Sequence, residues 1–125
     1  MGKISMSDPM HQKDIVLVRF PFSNQIDYKI RPAIIVSNDF YNKHHSSFWI
    51  VPLTTKESLK EFEIELPNKE IVSGNINEKS FVRADNIATI EDDLILKEIG
   101  KISDRFFEKV KAAIVKNIEI KHEKS

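Results

Sequence analysis

Apolar positions along the chain fall into short runs separated by polar clusters, and only near the C-terminus do they take on helical spacing. The stretch "DIVLVRFPF" (14–22) starts with an apolar run, Ile15 to Val18, and then alternates. That pattern predicts a strand whose pairing ends at Pro21, a residue with no N–H to donate. "SNQIDYK" (23–29) is polar, with turn-forming Ser23, Asn24 and Asp27, and reads as a connection. A second strand is expected over 31–37, "RPAIIVS", buried on both faces. A turn, or one helical turn, follows at 38–42. The third strand is expected at 46–54, where Pro52 implies a bulge or an edge. "FEIEL" (62–66) alternates cleanly and predicts a half-exposed strand, whereas 72–77 reads as a loop around Gly74. Residues 80–90 are strand-like, "EDDL" is a tight turn, and 96–103 is a short strand with Gly100 as a bulge. Beyond it, Phe106, Phe107, Val110, Ala113, Ile114 and Ile118 recur at helical spacing. With Ser103 or Asp104 as N-cap, they predict an amphipathic helix over about 104–119. Several short strands followed by one helix predict a mainly β fold, a small antiparallel barrel with the helix packed on it.

Composition narrows the class. A chain of 125 residues argues for one domain, and 41% hydrophobic with 30% charged residues is ordinary globular material. No apolar run approaches the roughly 18 residues that span a bilayer. The start lacks the charged-then-apolar pattern of a secretion signal, so residues 1–12 read as a flexible tail with Met10 as a candidate start. There are no cysteines, which excludes disulfides and thiolate metal sites and fits a reducing cytoplasm. Net charge is zero but unevenly spread: residues 1–56 hold seven Lys and Arg against four Asp and Glu, and seven of the eleven aromatics. Basic plus aromatic is the composition that grips single-stranded nucleic acid.

Chemistry concentrates at a few positions. Arg31 stands at the mouth of an apolar strand, and Pro32 biases its backbone towards an extended conformation. Thr54 and Thr55 close the third strand, where β-propensity alone would also put them. Arg83 and Asp85 are two apart, so on a strand they share a face, either as a working pair or as a plain charge pair. His44 and His45 are adjacent, point to opposite faces of an extended chain and lack a third ligand, so they read as a mobile polar loop rather than a metal site.

Four segments together carry a resemblance: "DIVLVRFPF", "RPAIIVSND", "IVPLTT" (50–55) and "VRADNI" (82–87). In this order they resemble the MazF/PemK/Kid family of toxin endoribonucleases, and "KEIGKISDRFFEKVKAAI" (97–114) resembles the family's last strand and helix. The likeness spans about residues 13–118 and implies a domain over 13–119, with 120–125 a solvated tail. It implies an SH3-like barrel, a homodimer, and metal-independent, sequence-selective cleavage of single-stranded RNA without a cofactor. It also implies a cognate antitoxin peptide as partner. Residue by residue, Arg31 matches the family's catalytic arginine, Thr54 its catalytic hydroxyl, and Arg83 with Asp85 an Arg-x-Asp pair. Thr55 matches a second hydroxyl near substrate. Gln25 echoes the acidic-Gln pair of a loop that here lacks its usual glycines. Phe22, Tyr28 and Tyr41 are candidates to stack on bases. Two other functions fit so small a barrel: a binding module that holds RNA or peptide without cutting, and a toxin that poisons a topoisomerase.

Overall fold

The computed structural model describes residues 10–21, 27–57 and 63–122. Strands β1 (Asp14–Pro21) and β2 (Tyr28–Ile35) form a hairpin, followed by a short helix α1 (Asp39–His44) and β3 (Ser47–Thr54). Four short strands come next: β4 (Glu63–Leu66), β5 (Ile71–Gly74), β6 (Ser80–Arg83) and β7 (Ala88–Glu91). The long β8 (Ile95–Ile102) leads into helix α2 (Asp104–Ile118). Every pairing is antiparallel, in the order β4-β6-β3-β2-β1-β8-β5, with β7 added to β3. The sheet curls into a nearly closed barrel carrying α2.

Period-two alternation sorts β1, β2 and β3 into two apolar faces. One face carries Ile15, Ile34, Val51 and Leu53, and joins Val82, Ile102 and the helix residues Phe106, Phe107 and Val110. The other carries Val16, Val18, Ala33, Ile35, Phe48 and Ile50, with Ile90, Ile95 and Met10. The unbroken runs of β1 and β2 are explained by this: each strand is covered on both sides.

The entry to α2 is built around one buried carboxylate. Ser103 is the N-cap, its hydroxyl oxygen accepting from Phe106 N–H at 3.0 Å. The same hydroxyl donates to Glu70 Oε1 at 2.6 Å, and Arg105 donates to both Glu70 oxygens at 3.1 and 3.3 Å. Glu70 is only 4% exposed. The Ser103 hydrogen bond, then the Arg105 hydrogen bonds and charge, hold its carboxyl below the ordinary glutamate range.

Several elements differ from expectation. The second strand begins at Tyr28, because pairing with β1 continues from Ile15↔Ile34 out to Pro21↔Tyr28 through polar residues that look like a connection. Residues 71–74 form β5 rather than a loop, drawn in by pairing with β8. There Gly74 has φ +78°, and a Cβ on it would meet Ile99 O at 2.1 Å. The register of β1 with β8 shifts between Ile15↔Gly100 and Val16↔Glu98, so an irregularity falls at Gly100 as expected, and a Cβ on Gly100 would meet Ser73 O at 2.8 Å. Residues 80–90 divide into β6 and β7 around a turn at Ala84–Asp85. "EDDL" forms a 3-10 turn over Asp92–Leu94. Ile118, the last member of the helical stripe, is 74% exposed because α2 runs past the core it covers. Met10 and Gln12, expected in a tail, are held: Met10 is buried and Gln12 Nε2 donates to Val36 O at 2.9 Å. His44 and His45 are not in an extended loop but end α1, each Nδ1 meeting the carbonyl four residues back. Phe62 and residues 123–125, parts of an expected strand and tail, lie outside the described residues. Among the described residues no helix is long and apolar enough to cross a membrane.

Candidate active site

Alternation that buries Ala33 and Ile35 on one face of β2 carries that face outward to Arg31 and Lys29. On β1 the same face runs from Val16 and Val18 to Phe20, and on β3 from Ile50 through Pro52 to Thr54. The pairing of β3 with β6, Leu53↔Val82 and Thr54↔Phe81, brings Arg83 to it, and β4 adds Glu63 opposite Arg83. Where the apolar face ends, these side chains line an open concavity of about 650 Å³, together with Leu53, Thr55, Lys56 and Asn86. Helix α2 packs on the opposite face. The concavity is therefore the polar end of a sheet face whose other end is core, which fixes the backbones beneath it.

Pairing between β2 and β3 stops at Ala33↔Pro52. Pro52 cannot donate a ladder hydrogen bond, and beyond it β3 pairs with β6 on its other edge. Arg31 and Thr54 stand on either side of that opening. Among the described residues the Arg31 guanidinium has no ion-pair partner, and it is half-buried. The Thr54 hydroxyl oxygen accepts from Lys56 N–H at 3.1 Å, which leaves its own proton to donate into the concavity.

Arg83 is held rigidly. Its Nε and Nη2 donate to the two Asp85 carboxylate oxygens at 3.2 and 3.3 Å, and Glu63 Oε2 lies 3.5 Å from Nε. The Asp85 hydrogen bonds, with the Asp85 and Glu63 charges, raise the guanidinium above its already high ordinary value. Asp85 reaches it from the turn after β6, so the pair is formed by the chain folding back and not by sharing a strand face. Asp85 does not itself line the concavity.

Of the site residues the sequence suggests, Arg31, Thr54, Thr55 and Arg83 meet in this one concavity, and Asp85 joins them through Arg83. Tyr28 lies on the other face of β2, its ring under Arg19 at 4.1 Å. Tyr41 stacks on His45 with ring centroids 3.8 Å apart. Phe22 and Gln25 lie outside the described residues. Sequence reasoning passed over Phe20, Lys29, Lys56, Glu63 and Asn86. Lys29 had a signal, since it stands two residues before Arg31 on the same strand face. Glu63 had none, because only the β4–β6 register brings it to Arg83. Among the described residues no group of three His, Asp or Glu side chains is arranged to hold a metal ion.

A family model for PemK-like, MazF-like toxins of type II toxin–antitoxin systems matches residues 11–118. No curated protein matches the chain. Among solved structures, a MazE–MazF complex from Deinococcus radiodurans is 16% identical with a TM-score of 0.74, covering 91% of this chain and 100% of that one. An endoribonuclease with its cognate antitoxin from a mycobacterial species is 20% identical with a TM-score of 0.66, covering 90% and 99%. The Mycobacterium tuberculosis toxin MazF-mt6 is 23% identical with a TM-score of 0.65, covering 83% and 93%. At these identities the likeness is one of fold.

Proposed function

Because this chain belongs to the PemK-like, MazF-like family of type II toxin–antitoxin toxins, we propose that it is a toxin that cuts single-stranded RNA without a metal ion. The observation that carries this reading is the meeting of Arg31, Thr54 and Arg83 from β2, β3 and β6 in one open concavity. Their chemistry suits a phosphate whose neighbouring 2′-oxygen attacks it. The 2′-oxygen forms a bond to phosphorus, the bond to the 5′-oxygen breaks, and the products are a 2′,3′-cyclic phosphate and a 5′-hydroxyl. Asp85, which stands behind Arg83 and outside the lining of the concavity, takes the 2′ proton as general base through one bridging water. Arg31 clamps the non-bridging oxygens with its planar fork and balances the charge that builds on the phosphorane. Thr54 donates to one of those oxygens. Arg83, held between two carboxylates with its pKa raised, is a poor proton donor and serves as a fixed positive charge, so water protonates the leaving oxygen. The substrate is single-stranded because a base must be splayed out for its sugar and phosphate to enter.

The same reading gives the partners. One of the structural relatives is an endoribonuclease bound to its antitoxin. Here an acidic antitoxin segment would fill the concavity by offering carboxylates to Arg31 in place of phosphate. The protein works as a homodimer in the cytoplasm, where RNA is found, and its folded domain takes in Met10 and Gln12 besides the expected residues 13–119.

The test is incubation of the protein with a long single-stranded RNA in EDTA. Discrete fragments ending in cyclic phosphate are expected, and a 2′-deoxyribose at the cut site abolishes that cut. Cleavage that requires a divalent ion, or that survives the 2′-deoxy substitution, refutes the mechanism. Tight binding without any cutting would instead indicate a binding module.

A further inference from the structure

Four cationic side chains line the concavity: Lys29, Arg31, Lys56 and Arg83. Arg83 is compensated by Asp85 and Glu63. Among the described residues the other three have no acidic partner. The β2–β3 ladder ends at Ala33↔Pro52, and beyond it Lys29 and Arg31 from β2 line the concavity together with Thr54 and Lys56 from the end of β3 and the residues after it. Lys29 and Lys56, two uncompensated cations in one opening, repel in the empty protein. An anion between them removes that repulsion.

Spacing identifies the anion. Lys29 and Arg31 are two residues apart, and two residues of extended peptide contain as many backbone bonds as one nucleotide. One step along β2 on this face is therefore close to one step along an extended RNA strand, about 7 Å. We propose that Lys29 and Lys56 together hold the phosphate next to the one being cut, so that the site grips two consecutive phosphates in fixed register. The proposal rests on the nuclease reading for the identity of the Arg31–Thr54 phosphate. The two lysines hold substrate and take no part in the bond changes. Productive alignment then depends on substrate extending one phosphate beyond the cut, on one side only.

The experiment has two arms. In the first, a fluorescent single-stranded 2′-O-methyl RNA, which lacks the attacking hydroxyl, is titrated by anisotropy between 50 and 200 mM salt. The Lys29→Gln/Lys56→Gln double variant is expected to bind about fivefold more weakly at 0.1 M, with the log–log salt slope shallower by about 0.7, the contribution of one single-strand phosphate. Arginine at both positions restores the slope, and Lys116→Gln on α2 leaves it unchanged. In the second arm, a cleavable RNA carries a neutral methylphosphonate at one or the other linkage next to the cut. One of the two neutral linkages is expected to raise KM about fivefold with kcat retained, and to add nothing further in the double variant. An unchanged slope in the double variant overturns the proposal. So does a methylphosphonate loss at that linkage that simply adds to the lysine loss. Failure of the unmodified protein to cut RNA sinks the nuclease reading alone, because the first arm needs no cleavage.

Discussion

Replacing Arg31 with alanine separates the chemistry of the site from the stability of the strand that carries it. Ala33, Ile34 and Ile35 are fully buried and anchor the segment, whereas Arg31 is half-buried and makes no ion pair among the described residues. Removal of its guanidinium should therefore change stability by no more than about 0.5 kcal/mol, as for other surface positions. For a domain of this size that is a shift of about 2 °C in Tm. The catalytic effect should be far larger. Loss of one positioned donor to a developing oxyanion costs about 10²–10³ in kcat, or about 3–4 kcal/mol, and Arg31 can present two. Arg31→Lys keeps the charge and loses the planar fork, so it should bind RNA nearly as well while cutting at least tenfold more slowly. Ile34→Ala provides the contrast, with a loss of about 2–5 kcal/mol from an emptied core position. The assay is single-turnover cleavage of an RNA oligonucleotide in EDTA at saturating protein, beside thermal melts of each variant. If Arg31→Ala cuts within tenfold of the parent rate, or melts as low as Ile34→Ala, the role assigned to this side chain is wrong.

Asp85→Asn should lower kcat by about 10²–10⁴, the range for a lost general base, and flatten the acid limb of the pH–rate profile; a retained limb would exclude Asp85 as the base. The Glu70 carboxyl is held below its ordinary range when folded, so its contribution to stability is complete above about pH 4.3, the unfolded value, and is lost as pH falls through the lower folded value. Glu70→Gln should make the melting temperature less sensitive to pH in that acid window, and an unaltered acid transition would disprove the assignment. Ser103→Ala removes both the cap of α2 and a hydrogen bond to Glu70, and should cost about 1–2 kcal/mol by urea denaturation; a loss under 0.5 kcal/mol would contradict it.

The site is a consequence of where a ladder ends. Pro52 interrupts the pairing of β2 with β3, and β3 then pairs with β6 on its other edge, so the walls beyond Ala33 part to form the concavity. The hydrophobic face beneath them holds the backbones of its polar groups in place, and the proposed mechanism would therefore need little reorganisation.

By itself the sequence determined the buried runs of β1 and β2, the helical stripe of Phe106, Phe107 and Val110, and an order of motifs that marks the family. These are local patterns, and periodicity records which face of an element is apolar. It does not record which strand lies beside which. The pairing of β3 with β6 brings Arg83 to the concavity that Thr54 lines, the β4–β6 register brings in Glu63, and the turn after β6 returns Asp85 to Arg83. Tyr28, inviting in sequence, faces away because it is one residue out of phase with Lys29 and Arg31. A shift of one residue in register moves every side chain to the other face, and register is set by packing between segments far apart in the chain. For that reason the composition of the concavity was decided only by the tertiary structure.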